Sequence, residues 1–363
     1  MELLNSIVKR IKPLDEEALY KASERMNSLI KPIGSLGRLE EIAVKIAGMT
    51  GKINNCIQKK CVVVMASDNG ICDEGVSTSP QFITAMQAVN MVRGVAGIGV
   101  LCKHAGADLR VVDIGIKHEY NSNIILNRKI RNGTWNFAKG PAMTEEEAVK
   151  AIEIGIDVTQ GLIDQGYDII GTGEMGIGNT STSSAVLMAF TGCSSEDAVG
   201  VGTGLTEDGL NKKKSIIDNA VKSNQPDKNN PIDVLAKVGG FDIAGLTGCF
   251  LAAAANKTPV VIDGFISAAA ALTAWKINPL AKDYMIASHC SAEPGYNVIV
   301  KEMGLKPALN LEMRLGEGTG CALMFNVVEA ALCIMNQMAT FGDVQMANEH
   351  LVDVRLQEGK SCK

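Results

Sequence analysis

The segment best suited to chemistry lies near the C-terminal end of the chain, at residues 314–321. Glu317 stands there between Gly316 and Gly318, directly before an apolar run that predicts a buried helix. Glycines repeated at every second position indicate that the backbone passes close to another group. A carboxylate held in such a turn can act as a base. An acidic residue at a helix entry is also explained by the helix dipole alone.

A second glycine segment, Gly171–Gly176, matches the pattern G-x-G-x-x-G between a predicted strand and a predicted helix. A dinucleotide site needs this motif in the first βαβ unit, with an acidic residue ending the next strand. Here the motif lies mid-chain, and Glu196 and Asp197 fall in a polar turn. We therefore expect a smaller ligand. Backbone N–H groups at this helix entry, with Asn179 and Thr180, could hold one phosphate or a ribose.

Another glycine turn, residues 202–204, leads into a predicted helix that carries three consecutive lysines, 212–214. Such lysines usually form a solvated helix face. Because a glycine turn precedes them, one lysine could reach a phosphate as a point charge. Two phosphate-type loops without a P-loop motif indicate a mononucleotide.

A helix is predicted to begin near residue 80, with Ser79 as its cap and Pro80 in its first position. Gln87 lies eight residues after Ser79, about two helical turns, so both would share one face. A hydroxyl and an amide on one face could hold the edge of a flat heterocycle. A simple helix cap explains Ser79 equally well.

Short apolar runs that end in Asp, Gly or Ser alternate with helical patterns through the middle of the chain. Continuous apolar runs of this kind are typical of strands buried on both faces, and the alternation predicts a doubly wound parallel α/β sheet. Ligands bind such sheets beyond the carboxyl ends of the strands. The predicted strands are 61–66, 109–114, 167–170, 259–262, 284–287 and 308–311. The predicted helices are 80–102, 179–189, 206–221, 242–255, 265–275 and 319–338, after two N-terminal helices, the first capped by Asp15.

Composition narrows the function classes. The chain has 363 residues and a net charge of −5, and residues 212–214 form its only strong basic cluster, which gives nucleic-acid binding little support. The ten cysteines include no C-x-x-C pair and no secretory signal opens the chain, so we expect reduced thiols in a cytoplasmic protein. No apolar stretch is expected to span a membrane. The four histidines lack metal-ligand spacing, so we expect no metal site.

Six longer motifs, in the same order along the chain, resemble the nicotinate-nucleotide–dimethylbenzimidazole phosphoribosyltransferase family. They occupy residues 31–40, 73–77, 173–180, 237–242, 288–293 and 313–318. This family builds the lower ligand of cobalamin-type cofactors. It transfers 5-phosphoribose from nicotinate mononucleotide to an aromatic base, with inversion at the anomeric carbon.

The resemblance implies a Rossmann-like domain, a small helical domain formed by the chain ends, and a homodimer. The expected large domain, with the nucleotide and acceptor sites, is 30–290. The expected small domain, with the catalytic loop, is 1–29 together with 291–363. A paralogous partner subunit remains open.

The resemblance also implies site residues. Glu317 matches the general base of the family. No cofactor is implied, because nicotinate leaves as a neutral pyridine ring and a single base suffices. Expected nucleotide and phosphate contacts are Glu174, Gly176, Asn179, Thr180, Gly202, Thr203, Gly204, Lys213 and Ser291. The expected acceptor pocket comprises Ser79, Gln87, Met175 and Leu315.

Three alternatives remain open at this point. Asn69 stands where many relatives carry histidine, so benzimidazole, purine and phenol acceptors are all compatible, with N- or O-linkage. A non-catalytic nucleotide-binding or partner subunit of the same fold is a second interpretation. An NAD-dependent enzyme built on residues 171–176 is a third.

Overall fold

The computed structural model describes residues 1–347 and 351–357. The chain divides into two compact units: a large unit of Met1–Lys12 and Lys59–Met324, and a small unit of Pro13–Gln58 with the described residues from Phe325 onward. These boundaries differ from the expected 30–290 and 1–29 with 291–363. The first helix packs within the large unit, where its Leu4 and Ile7 are buried. Residues 348–350 and 358–363 of the expected helical domain lie outside the described residues.

The large unit is built on a six-stranded sheet whose neighbouring strands are all parallel. The strand order is β3-β2-β1-β4-β5-β6, so the chain winds outward in both directions from β1, as in a Rossmann fold. Every residue of β1 is buried, as expected of a strand covered on both faces. The predicted doubly wound α/β sheet is confirmed. The strands are β1 Lys60–Ser67, β2 Asp108–Gly115, β3 Leu126–Asn127, β4 Ile169–Met175, β5 Val260–Ile262 and β6 Met285–Ala287.

One predicted strand is wrong and one observed strand was not predicted. Residues 308–311 form no strand, and only an isolated bridge joins Leu309 to His289. The segment is too exposed and too briefly paired to extend the sheet. Strand β3 is only two residues long, which is too short for an apolar pattern to reveal.

The α-helices of the described residues flank this sheet or belong to the small unit. Helix α6 has a complete capping box, in which the Thr144 hydroxyl accepts the Glu147 N–H and the Glu147 carboxylate accepts the Thr144 N–H. The helices are α1 Glu2–Arg10, α2 Glu16–Ser28, α3 Arg38–Thr50, α4 Phe82–Val92, α5 Gly97–Ala105, α6 Glu145–Asp164, α7 Asn179–Thr191, α8 Ser195–Ala198, α9 Glu207–Asn224, α10 Pro231–Val238, α11 Phe241–Ala255, α12 Phe265–Ile277, α13 Pro294–Met303 and α14 Thr319–Gln337.

The predicted helix 80–102 is two helices, because Gly94 adopts a left-handed φ of +76° between α4 and α5. Ser79 does not cap the first of them. Helix α4 begins at Phe82, and Gln81 occupies its N-cap position without a capping side chain. Ser79 therefore shares no helix face with Gln87, and that prediction is wrong.

The small unit contains α2 and α3, and the Asp15 carboxylate accepts the Ala18 N–H as the predicted cap of α2. A buried ion pair joins Lys31 to Glu40 with an Nζ–Oε1 distance of 2.7 Å. The Glu40 carboxylate also accepts the Leu36 N–H, which closes the turn that leads into α3. The glycine-rich motif at residues 31–40 is therefore folded around one buried charge pair.

Two segments of the described residues are long and apolar enough to cross a membrane, where the sequence had predicted none. The first, 82–105, is broken into α4 and α5. In the second, Thr319–Gln337, just over half of the most apolar stretch is buried inside the protein. Core helices of soluble proteins meet the same criterion, so these segments are weak evidence for a membrane protein.

Candidate active site

A cavity of about 350 Å³ lies at the carboxyl ends of β4, β5 and β6, within the large unit. This is the edge where ligands bind in open parallel sheets. The cavity is lined by Val76, Ser77, Gln87, residues 174–180, Gly202, Thr203, residues 263–267, His289, Ser291, Glu293 and residues 314–317.

Glu317 projects into this cavity from the loop before α14, and the residue is 4% exposed. Its carboxylate has two fixed donors. Gln87 Nε2 donates to Oε1 at 2.5 Å, and the Ile98 N–H at the start of α5 donates to Oε2 at 3.0 Å. Each carboxylate oxygen has a second lone-pair site, so the oriented group can still accept a proton.

The Glu317 backbone is in the left-handed region, with φ of +63°, and Gly316 and Gly318 have φ of +81° and +94°. Such a conformation is unfavourable for residues other than glycine, so surrounding contacts must hold it. The predicted close passage of the backbone is visible at Gly173 of β4. A Cβ atom there would overlap the carbonyl oxygen of Glu317.

This contact explains the G-x-G-x-x-G pattern. Gly171 and Gly173 lie inside β4, the fourth strand in chain order, rather than in a turn that could wrap a pyrophosphate. The glycines pair with neighbouring strands and leave room for the Glu317 loop. The dinucleotide interpretation of this motif has no geometric support.

Three polar side chains form a buried group beside Glu317. Asn179, the first residue of α7, donates to Glu174 and, at 3.2 Å, to Asp242. Burial raises the pKa of Glu174 to about 8, and the nearby carboxylates of Asp242 and Asp263 contribute to this rise. Burial raises the pKa of Asp242 to about 6. At neutral pH Glu174 is therefore mostly protonated and can donate a hydrogen bond into the cavity.

Lys213 lies behind the lining residue Thr180. The side chain is fully buried and donates to Thr180 Oγ1 at 2.8 Å and to the Gly200 carbonyl oxygen at 3.1 Å. Burial lowers the pKa of Lys213 to about 8, against the raising effect of the Glu293 carboxylate. A buried cation beside the N-terminus of α7 is a favourable place for a phosphate.

The structure brings eleven of the fourteen predicted site residues to the cavity lining. Lys213 contacts the lining through Thr180. Gly204 is exposed one residue beyond Thr203, and Ser79 lies outside the lining. Both residues lie away from the cavity. Residues 77–78 are bonded to the glycine turn instead, with the Thr78 N–H donating to Thr203 Oγ1 at 3.1 Å.

Sequence reasoning missed Asp263, His289, Glu293 and Arg314, which also line the cavity. Asp263 directly follows β5, and an acidic residue at the end of a buried strand was the signal available for it. Burial raises its pKa to about 7, against the lowering effect of the Gly320 and Gly318 N–H groups. Among the residues that the structure describes, no group of three or more His, Cys, Asp or Glu side chains could hold a metal ion.

A family model described as phosphoribosyltransferase matches residues 11–346. A nicotinate-nucleotide–dimethylbenzimidazole phosphoribosyltransferase from Clostridium tetani is 56% identical over 98% of this chain and 98% of its own length. One from Ruminiclostridium cellulolyticum is 51% identical over 95% and 97%. The chain belongs to the nicotinate-nucleotide–dimethylbenzimidazole phosphoribosyltransferase family.

Solved structures agree with this family assignment. The crystal structure of the phosphoribosyltransferase from Thermus thermophilus matches with a TM-score of 0.87 at 37% identity, over 92% of this chain and 99% of that chain. The resemblance inferred from the six motifs is confirmed. Members of this family are enzymes that act on small molecules.

Proposed function

We propose that the protein transfers 5-phosphoribose from nicotinate mononucleotide to an aromatic base, such as 5,6-dimethylbenzimidazole or a related benzimidazole, purine or phenol. The products are an α-riboside 5′-phosphate (α-ribazole phosphate from dimethylbenzimidazole) and nicotinate, in the nucleotide-loop biosynthesis of cobamides. The observation that carries the proposal is the Glu317 carboxylate. It is oriented by Gln87 and Ile98 in a cavity whose lining residue Thr180 accepts a hydrogen bond from the buried Lys213 cation.

The chemistry needs few groups. The bond between C1 of the ribose and the pyridinium nitrogen breaks, and its electron pair neutralises the ring, so no general acid is required. A nitrogen or oxygen of the acceptor bonds to C1 from the opposite face. The proton of the acceptor passes to Glu317, which acts as the general base. The carboxylate also stabilises positive charge that develops on the sugar.

The proposed nucleotide contacts follow from the geometry of the cavity. Lys213, Thr180 and the N-terminus of α7 bind the 5′-phosphate, supported by Gly202, Thr203 and Ser291 of the lining. Glu174, held by Asn179 beside Gly176, binds the ribose hydroxyls. The acceptor lies between Gln87, Met175 and Leu315, where Gln87 links it to Glu317.

The working assembly and compartment are part of the same proposal. We infer a homodimer in the cytoplasm, with nine free cysteines among the described residues in accord with a reducing compartment. Light scattering should give twice the chain mass of 38.4 kDa. A stable complex only with a paralogous chain would replace the homodimer.

The decisive experiment is an acceptor panel incubated with nicotinate mononucleotide, with mass-spectrometric detection of the riboside phosphate. Nicotinate release should require an aromatic acceptor, and the product mass and its acid stability distinguish N- from O-linkage. Binding of the mononucleotide without turnover over the whole panel would instead favour a non-catalytic subunit.

Glu317→Gln tests the proposed base. We expect kcat to fall by roughly 10²- to 10⁴-fold, the usual contribution of a positioned base, while nucleotide affinity changes little. The amide is nearly isosteric with the carboxylate, so the cavity keeps its shape. A near wild-type rate would remove Glu317 from the mechanism.

A further inference from the structure

The Glu317 loop requires an anchor, because three consecutive residues, Gly316 to Gly318, have left-handed backbone angles. For a glutamate this conformation is unfavourable and persists only where its surroundings fix it. The Gln87 and Ile98 donors act on the carboxylate and do not hold the backbone of the loop.

Two buried carboxyl groups hold that backbone. Glu174 Oε1 accepts the Glu317 N–H at 3.3 Å, and Asp263 makes the two shorter bonds. Asp263 Oδ2 accepts the Gly318 N–H at 3.0 Å, and its Oδ1 accepts the Gly320 N–H at 2.7 Å. Both carboxylate oxygens are thus bonded to backbone donors that follow Glu317 by one and three residues.

Asp263 is itself held rigidly. It directly follows β5 and is 1% exposed. Its N–H donates to Ser267 Oγ at 3.2 Å, and its carbonyl oxygen accepts the Ser288 hydroxyl at 3.1 Å. Ser267 is bonded in turn to Thr172 of β4, with an Oγ–Oγ1 distance of 2.6 Å. Through Asp263, the Glu317 loop is therefore tied to the end of β5 and to the middle of β4.

We propose that Asp263 is a positioning residue, which holds the backbone of the Glu317 loop so that the carboxylate of Glu317 faces the ribose and the acceptor. This inference rests on the proposed function. It assigns Asp263 no contact with the reacting atoms. Its effect on the reaction passes through Glu317, because a reacting group keeps its productive geometry only where neighbouring contacts fix it within a fraction of an ångström.

Asp263→Asn is the direct test. The amide keeps the shape and replaces one oxygen by a donor, which faces the N–H of Gly318 or Gly320 and cannot bond to it. We expect kcat to fall by about 10- to 100-fold, as for a loss of catalytic geometry. The KM and the dissociation constant of nicotinate mononucleotide should change less than about threefold, because Lys213 and Thr180 are untouched.

Asp113→Asn is a matched control. Asp113 is also fully buried near the end of a strand, and its Oδ1 accepts the Ile116 N–H at 2.8 Å. It makes no hydrogen bond to the Glu317 loop. A loss of stability comparable to that of Asp263→Asn, with near wild-type kcat, is expected for this variant.

A double-mutant cycle separates positioning from general stabilisation. If Asp263 acts through Glu317, Asp263→Asn should cost little further turnover once Glu317→Gln is present. Additive losses in the double variant would overturn the inference, as would an Asp263→Asn enzyme with wild-type kcat.

Asp263→Glu covers the case in which the asparagine variant does not fold. The charge is retained, but one added methylene shifts both oxygens away from the two N–H groups. The expected result is folded protein with lowered kcat and unchanged nucleotide affinity, and wild-type kcat would again overturn the inference.

Turnover of the wild-type protein is measured first. Its absence over the whole acceptor panel would reject the proposed function. If the wild-type protein is active and the Asp263 variants are fully active as well, only the role of Asp263 is rejected.

Discussion

Three consecutive lysines near the start of α9 have three different environments. Lys212 is exposed, Lys213 is fully buried against Thr180, and Lys214 pairs with Glu196. The sequence predicted that one of them reaches a phosphate, and the resemblance to the family pointed to Lys213. Helical periodicity alone could not make that choice, because the face of α9 that turns inward depends on its packing against α7.

Lys213→Ala should raise the KM of nicotinate mononucleotide by about 10- to 100-fold, the value of a lost hydrogen bond to a charged group. The change in kcat should be much smaller, because Lys213 bonds to Thr180 and Gly200 and not to the base. Lys212→Ala, on the exposed neighbour, is the matched control and should leave the KM unchanged. An unaltered KM for the Lys213 variant would argue against a phosphate site there.

The same lysine predicts a pH dependence. Burial lowers its pKa to about 8, so the free protein loses the cation as pH rises past that value. A bound phosphate favours the charged form, so the affinity for nicotinate mononucleotide should fall above about pH 8. Isothermal titration from about pH 7 to about pH 9.5 spans this pKa and measures the fall, which should be smaller in the Lys213→Ala protein, where, of Lys213 and Glu174, only Glu174 still titrates.

Among single residues, the position of Glu317 in the cavity was predictable from its glycine frame together with the resemblance to the family, because the frame alone is also explained by a helix entry. Asp263 was not, because its importance lies in two N–H groups more than fifty residues away. Ser79 was predicted wrongly. The bonds of Ser77 and Thr78 to Thr203, which come from another part of the chain, prevail over the local tendency of Ser-Pro to begin a helix.

Helices α6 and α11 pack so closely that glycine is required between them. A Cβ at Gly155 of α6 would overlap the Gly245 carbonyl oxygen, and one at Gly248 of α11 would overlap the Ile152 carbonyl oxygen. Neither atom belongs to a flexible side chain, so neither can move aside cheaply. Helix α11 packs in turn against β1, β2 and β4, the central strands of the sheet.

Gly155→Ala should therefore destabilise the protein by about 2 kcal/mol or more, at the upper part of the range for overpacking. Gly161→Ala in the same helix is a matched control, because an added Cβ there meets no atom of the structure within 4 Å. That change should stabilise by about 0.5–1 kcal/mol through helix propensity. Urea unfolding of both variants measures the contrast, and equal effects would contradict the close packing of α6 on α11.

At the level of elements, long periodic helices and the central strands were predictable to within a few residues. Helices α1, α6, α8, α10 and α13 were not predicted, although Thr144 and Glu147 of α6 show the spacing of a capping box. Helices α11 and α12 are buried around their whole circumference, so apolar content rather than periodicity identified them. The break at Gly94 was missed because one glycine does not usually end a helix pattern.

The whole molecule carries several buried carboxyl groups at one edge of its sheet. Burial raises the pKa of Glu174 to about 8, of Asp263 to about 7 and of Asp242 to about 6. The folded state then keeps protons that the unfolded chain releases near pH 4, so the stability that these groups contribute is fully present below about pH 4 and is lost as the pH rises to about 8. The lowered pKa of His289 opposes this trend only below about pH 6.5.

The melting temperature of the ligand-free protein should accordingly fall between about pH 5.5 and about pH 8.5. Glu174→Gln, which is neutral at every pH, should flatten the fall and should stabilise the protein most at the alkaline end of this range. Glu24→Gln is a suitable control, since Glu24 lies on the exposed face of α2. A melting temperature that rises with pH in wild-type protein would contradict the raised pKa values.

The backbone angle of residue 317 has a consequence for chemical rescue. Glycine adopts a φ of +63° readily, so Glu317→Gly should keep the loop while emptying the space between the Gln87 amide and the Ile98 N–H. Formate added to the solution matches that space in charge and hydrogen bonding. It should restore part of the turnover of the glycine variant and none of that of Glu317→Gln, where the amide still fills the space.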